Sequence, residues 1–425
     1  MLIYFKVGNY KSIKEPVVIN FTATAINEHR ASNVIRRGKD ELLKTILLYG
    51  PNASGKSKIL DALVFFRWSV LNSAADRLSH QQISTEPFAL NTTTQEQRSF
   101  FEAEFIIQKT KYRYGFEADK EAVRKEWLME VKATTSQVLF LRIEQEFKVE
   151  NGFAEAKGLE KRTRRSALFL SVAATWNVPK AEGIVDWFDS IYTINGMMDN
   201  AYTAMTTSML KERSYNEMIN ELMLQADLGI NSIHALDMPE QVKENILKTA
   251  PPELLEEYKE RLSKDRMAVF AMHSVFNDQH QIENEIPFSM DGVESEGTRK
   301  LFNLAGVFVQ AATSGRLVII DEFDARLHTL LVKAIIRLFN NVALTSGAQL
   351  LGVSHDTALL DKDLLRRDQI YFVEKDNYGA TKVSTLVEFK PRKESPYFKN
   401  YLEGKYGAIP FISNLETSFQ HAQEK

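Results

Sequence analysis

The sequence predicts an α/β fold whose core is assembled from the two ends of the chain. Residues 50–57 read Gly-Pro-Asn-Ala-Ser-Gly-Lys-Ser and stand between an apolar run, Thr45 to Tyr49, and a helix-like stretch, Lys58 to Asn72. Far downstream, Leu317-Val318-Ile319-Ile320 is a second apolar run, closed by the carboxylates Asp321 and Glu322. Between these the hydrophobic period changes, as happens when a layer of different structure interrupts one α/β core.

The elements follow in order. Leu2 to Val7 and Val17 to Phe21 predict two strands joined by a turn, and Thr45 to Tyr49 a buried parallel strand. The next helix carries Ile59, Leu60, Leu63, Phe66 and Val70 at helical spacing. Phe101 to Ile107, Tyr112 to Ala118, Glu126 to Val131 and Gln137 to Ile143 alternate, and predict an antiparallel β layer. Residues 154 to 265 turn charged and mostly helical, with a helix over Glu217 to Asp227. In the Glu240 to Lys264 segment Pro251-Pro252 limits the chain to two short helices. Core-like text resumes after 266, with strands over Met267 to Val275 and Gln281 to Ser289, an apolar helix over Thr298 to Ala312 and a strand over Leu317 to Ile320. A helix over Leu330 to Phe339, with buried strands at Gln349 to Val353 and Ile370 to Val373, completes the set. The expected organisation is 1–120 as the first half of the core, 121–265 as a β layer continuing into a mainly helical insertion, and 266–425 as the second half.

Composition removes several classes. The 425 residues allow two or three domains or one large core with insertions. A net charge of −3 gives no global pull toward nucleic acid, so any DNA contact needs a local patch such as Lys161-Arg162-Thr163-Arg164-Arg165 or Lys390-Pro391-Arg392-Lys393. Zero cysteines exclude disulfides, Cys-ligated zinc and iron–sulfur clusters. The first residues carry no basic leader, and no stretch reaches the roughly 18 uncharged apolar residues of a membrane span. The expectation is a cytoplasmic protein with no membrane span.

Chemistry concentrates in four places. In the 50–57 loop, Gly50 and Gly55 let the backbone curl so that its N–H groups face a phosphate, with Pro51, Asn52, Ala53 and Ser54 forming the cradle between them. Lys56 supplies a charge for the β- and γ-phosphates, Ser57 a hydroxyl for Mg²⁺, and Lys58 opens the helix. A strand buried on both faces would deliver Asp321 to Mg²⁺ and Glu322 to an attacking water as general base. Glu294-Ser295-Glu296-Gly297-Thr298-Arg299 opens a helix with a hydroxyl and bare backbone, the parts of a second anion site or of a plain N-cap. Gly352-Val353-Ser354-His355-Asp356 places an imidazole just after a strand, where it could reach a γ-phosphate or serve only structure.

In this order the motifs resemble the ABC-class ATPase heads of SMC, RecF and OLD proteins, and more closely the RloA/AbiL-type "AAA family ATPase" group of prokaryotic defence islands. The residues that carry the resemblance are Phe5 to Phe21, Leu48 to Leu63, Glu294 to Ala305, Leu317 to His328, Ser354-His355-Asp356 and three C-terminal stretches, Phe372 to Asp376, Tyr401 to Gly404 and Tyr406 to Pro410. The resemblance implies ATP and Mg²⁺ as cofactors and two ATP molecules sandwiched between two protomers. Ser295, Glu296, Gly297 and Thr298 would act in trans as the signature, Asp324 as the D-loop contact and His355 as the switch residue. It further implies a homodimer or higher oligomer and an effector partner of nuclease, Toprim-like or RloB-like kind; the alternative is a RecF- or SMC-like ATPase that clamps DNA. The signature departs from the transporter-like Ser-Gly-Gly, and the glutamine that links nucleotide to the mobile subdomain is narrowed only to Gln81, Gln82 or Gln97. OLD relatives append a Toprim nuclease. Here Glu374 and Asp376 offer a carboxylate pair, but about 50 residues follow, too few for another α/β domain. They are expected to be the last core strand and its exit turn.

Overall fold

The computed structural model describes residues 1–75, 83–132, 135–237, 247–248, 255–256, 267–392 and 394–410. The α/β class is as expected. Two compact units are formed, one from Met1–Ile194, Ser314–Phe323 and Lys333–Lys425, the other from Asn195–Thr313 and Asp324–Val332.

The first unit holds two sheets. A seven-stranded antiparallel sheet runs in the order Glu146–Val149, Ser136–Ile143, Val123–Val131, Thr110–Ala118, Ser99–Ile107, Leu2–Gly8, Val17–Asn20. The boundary expected at residue 120 falls inside this sheet, in the hairpin where Glu117 pairs with Lys125. Inserted and N-terminal strands therefore share one hydrophobic face, with Phe5, Phe101, Tyr114 and Phe116 all buried on it.

The second sheet carries the loop. Its order is Tyr192–Asn195, Leu317–Asp321, Gln349–Val353, Thr45–Tyr49, Ile370–Lys375, Thr381–Thr385. Thr45–Tyr49 is buried at every position and lies parallel to Gln349–Val353 on one side and Ile370–Lys375 on the other. A strand covered on both faces has no reason to alternate, which is why its sequence is a continuous apolar run. The helix Lys56–Asn72 then packs across the antiparallel layer through Phe66. That ring meets Phe5, Phe101, Tyr114, Phe116 and Phe188 at centroid distances of 5.3–6.3 Å. Such pairs add directional preference to area burial, so the helix start is held in place.

One expectation needs correction here. Ile370–Lys375 is not the last core strand, because its exit turn leads into the antiparallel edge strand Thr381–Thr385. The helix expected over Leu330 to Phe339 begins one residue earlier, at Thr329, after turns over Phe323 to His328.

In the second unit, helices Thr203–Met209 and Arg213–Leu224 precede a three-stranded sheet in the order Ser232–Asp237, Met267–Phe276, Ile282–Ser289. The last two strands were expected among the buried core strands. They form this separate sheet instead, and Ile282 through Pro287 is exposed, since Glu283, Asn284 and Glu285 leave too little apolar surface to bury. Helix Glu296–Ser314 is buried along most of its length. The Glu240 to Lys264 expectation lies outside the described residues apart from 247–248 and 255–256.

Candidate functional site

The carboxyl ends of three neighbouring parallel strands gather one set of candidates. Register places Ile320 beside Gly352 and Val353 beside Leu48, so Asp321-Glu322, Ser354-His355 and the 50–57 loop leave the same edge of the sheet. Ligand sites in open α/β sheets form at this edge.

Steric necessity explains both glycines of the loop. A methyl group on Gly50 would lie 2.0 Å from the Val373 carbonyl oxygen, and one on Gly55, whose φ is +106°, would lie 2.1 Å from Thr381 Oγ1. Ala53 also takes a left-handed conformation, with φ 63°. Left-handed residues among right-handed ones turn successive N–H groups toward one side and build a concave anion nest. The ammonium of Lys56, a residue 5% exposed, donates to the carbonyls of Gly50 at 2.7 Å and Pro51 at 2.9 Å. Ser54 is buried, and its Oγ has no hydrogen-bond partner among the described residues. Ser57 lies half-buried in the first turn of the helix, while Asn52 is exposed. An unsatisfied buried hydroxyl, a nearly buried ammonium and a helix N-terminus together fit a phosphate.

Asp321 and Glu322 are half-buried at the end of Leu317–Asp321. The Glu322 N–H donates to Asp321 Oδ1 at 3.1 Å, and Glu322 has φ 50°, a left-handed conformation that costs energy in any residue with a Cβ. The next residue anchors the turn: Phe323 is fully buried and its N–H donates to the Val353 carbonyl at 2.9 Å. Across the strand, buried Ser354 donates its N–H to the Leu48 carbonyl at 3.2 Å and its Oγ accepts from the Asp356 N–H at 3.0 Å. His355 is thus fixed at its backbone and exposed at its ring. The Ser57 hydroxyl and the Asp321 carboxylate are the hard oxygen donors at this edge that could complete a Mg²⁺ shell with phosphate oxygens and water.

The signature and D-loop candidates meet in the second unit. Ser295 Oγ accepts from the Thr298 N–H at 3.1 Å and contacts Thr298 Oγ1 at 2.8 Å, an N-cap for helix Glu296–Ser314. Buried Lys300 donates to the Ala325 carbonyl at 2.6 Å, and a methyl on Gly297 would lie 3.0 Å from the Arg326 carbonyl. Arg326 in turn approaches Glu296 at 3.6 Å. The helix start and the turn bearing half-buried Asp324 therefore form one piece.

Other sequence candidates have structural employment. Lys58 points outward and donates to Asp61, which Lys11 also engages at 2.8 Å. Glu374 accepts from the Ala408 N–H and Asp376 from those of Tyr378 and Ala380, so neither stands as a free metal carboxylate. In the basic cluster, Arg162 stacks on Trp176 at 4.0 Å and Arg164 donates to the carbonyls of Ser73 and Ala74, while Lys161 and Arg165 stay exposed. Of the second cluster, Lys393 lies outside the described residues. Gln97 is exposed, and Gln81 and Gln82 lie outside the described residues. Sequence reasoning missed Ser12 and Thr381, which touch the loop from remote segments and carry no local motif.

Comparisons with known proteins complete the picture. No curated protein matches the sequence. Among solved structures, the head of SMC bound to the C-terminal winged-helix domain of ScpA is 15% identical, with 90% of this chain and 97% of that chain covered and a TM-score of 0.47. The SMC head domain from Thermotoga maritima is 13% identical, with 90% and 98% covered and a TM-score of 0.39. Among the described residues no helix is long and apolar enough to cross a membrane. Residues 46–361, which span the phosphate loop, the signature helix, Asp321-Glu322 and His355, match one family along most of the chain, and the protein belongs to it: "AAA domain, putative AbiEii toxin, Type IV TA system".

Proposed function

We propose that the protein is a Mg²⁺-dependent, ATP-hydrolysing switch whose ATP-driven head dimerisation controls a partner effector in anti-phage defence. The observation that carries the reading is the convergence of the 50–57 loop, Asp321-Glu322 and Ser354-His355 on one sheet edge, with the signature and D-loop residues joined in the other unit. The loop N–H groups and Lys56 bind the phosphates, and the Lys56 donors now on Gly50 and Pro51 pass to phosphate oxygens. Ser57 and Asp321 hold Mg²⁺, which when bound offsets phosphate charge. Glu322 accepts the proton of the water that attacks the γ-phosphorus as the bond to ADP breaks, and His355 donates a hydrogen bond to a γ-oxygen.

The defence role is supported by the toxin–antitoxin context in the family's description, and the partner surface is assigned to residues 121–265 because they carry no nucleotide motif. Those residues are the proposed surface for an effector of nuclease, Toprim-like or RloB-like kind. Glu322→Gln removes the base while keeping shape. It should cut turnover by about 100-fold or more, retain ATP and accumulate as a closed oligomer on size exclusion. Turnover equal to wild type would remove Glu322 from the base role; normal ATP binding by Lys56→Ala would remove the loop from the site.

A further inference from the structure

Three remote segments meet at the Ser54–Gly55 peptide. Thr381, 2% exposed at the start of the edge strand, donates from Oγ1 to the Ser54 carbonyl at 3.1 Å. The same Oγ1 lies 2.8 Å from Ser12 Oγ, and the Thr381 N–H donates to the Ser12 carbonyl at 2.8 Å. Because Thr381 Oγ1 spends its proton on Ser54, its contact with Ser12 is one in which Ser12 donates. Ser12 follows Lys11, which has φ 50° and an ammonium on Asp61 in the helix that leaves the loop. The turn is thereby tied to the cradle at Ser54 and to the following helix at Asp61.

Peptide planarity gives this contact a consequence. In a trans peptide the C=O and the following N–H point in opposite directions. With the Ser54 carbonyl drawn onto the hairpin, the Gly55 N–H must point away from it. Loss of the Thr381 hydroxyl would free the peptide to rotate, and the left-handed Gly55 offers little resistance to that rotation. Such a rotation would carry the N–H out of the nest.

We propose that Thr381, backed by Ser12, is a positioning residue that sets the Ser54–Gly55 peptide for phosphate binding. This deepens the nucleotide-site reading above and rests on it. Thr381 touches no ligand itself; it acts through one backbone donor. That donor meets a phosphate in the ground state and the transition state alike, so the effect belongs in KM with kcat preserved.

The test compares Thr381→Val, Thr381→Ser, Ser12→Ala and Lys56→Ala for ATP binding by a fluorescent ATP analogue, steady-state ATPase and thermal melting. Thr381→Val should weaken the analogue and raise KM by about fivefold to tenfold, the cost of one misplaced hydrogen-bond donor. Its kcat should stay near wild type, and Thr381→Ser should restore KM. Ser12→Ala should move KM the same way by about twofold to threefold, since only the backing hydrogen bond is lost. Wild-type KM in Thr381→Val, while Lys56→Ala loses binding, overturns the proposal and leaves the site intact. Normal binding by Lys56→Ala overturns the site and this inference with it. If Thr381→Val does not fold, Ser12→Ala decides: a raised KM with unchanged melting supports the proposal, and a wild-type KM overturns it.

Discussion

Gly55 is where two demands fall on one α-carbon. The backbone there is left-handed, and the space a side chain would fill is taken by Thr381 Oγ1 at 2.1 Å and Ser12 Oγ at 2.9 Å. Gly55→Ala should therefore lower unfolding free energy by about 1–3 kcal/mol and abolish nucleotide binding, measured by denaturant titration and by ATP affinity on the same preparation. Wild-type affinity in a folded Gly55→Ala protein would show that the cradle tolerates the shift. The loop glycines, Lys56 and Asp321-Glu322 were legible in the sequence because each belongs to a short motif with local spacing. Thr381 was not: its partner Ser54 lies 327 positions away, and one threonine at a strand start has no pattern to read. The left-handed turn at Glu322 was equally silent, because a dihedral imposed by the Phe323 anchor leaves the residue type unchanged.

At the scale of elements, strands that are continuous apolar runs or long alternating runs were legible, while of the four-residue strands only Val17–Asn20, read together with Phe21, was among those found. Gln349–Val353 was read with its observed bounds, whereas the hairpin Val34–Arg37 with Asp40–Leu43 was missed, since four residues give period-2 alternation too few repeats to register. The turn from Thr110–Ala118 to Val123–Val131 is set by a carboxylate. Burial works against ionised Asp119, but the Arg124 guanidinium at 2.5 Å and the N–H groups of Glu121 and Ala122 outweigh it and hold the carboxyl below the usual aspartate value. A depressed folded-state value means stability present above the unfolded-state value and lost as pH falls through the folded one. Asp119→Asn should thus cost up to about 1 kcal/mol near neutral pH, solvent screening limiting a partly exposed pair. The gap between variant and wild type should close in acid. Urea midpoints from neutral into acidic pH check this, and a gap independent of pH would assign the turn's stability to shape alone.

For the whole molecule, the phosphate loop with Glu322 lies in one compact unit of the chain and the candidates Ser295 and Asp324 lie in the other. If the signature acts in trans, a working site needs the loop of one copy and the helix start of a second. Two inactive variants should then complement each other. Lys56→Ala destroys the loop and leaves Ser295 intact; Ser295→Arg blocks the helix start and leaves the loop intact. Each homodimer has no competent site. A mixed dimer has one, formed by the wild-type loop of the Ser295→Arg copy and the wild-type signature of the Lys56→Ala copy. Random pairing of equal amounts makes half of the dimers mixed, each with one of its two sites competent, so ATPase should recover to about a quarter of the wild-type rate. Recovery should grow with total protein concentration, because pairing is bimolecular. A mixture as inactive as its components, under conditions where differently tagged copies co-purify as mixed dimers, would place the signature in cis or out of the reaction. A Ser295→Arg variant active by itself would leave that serine with only its N-cap to Thr298.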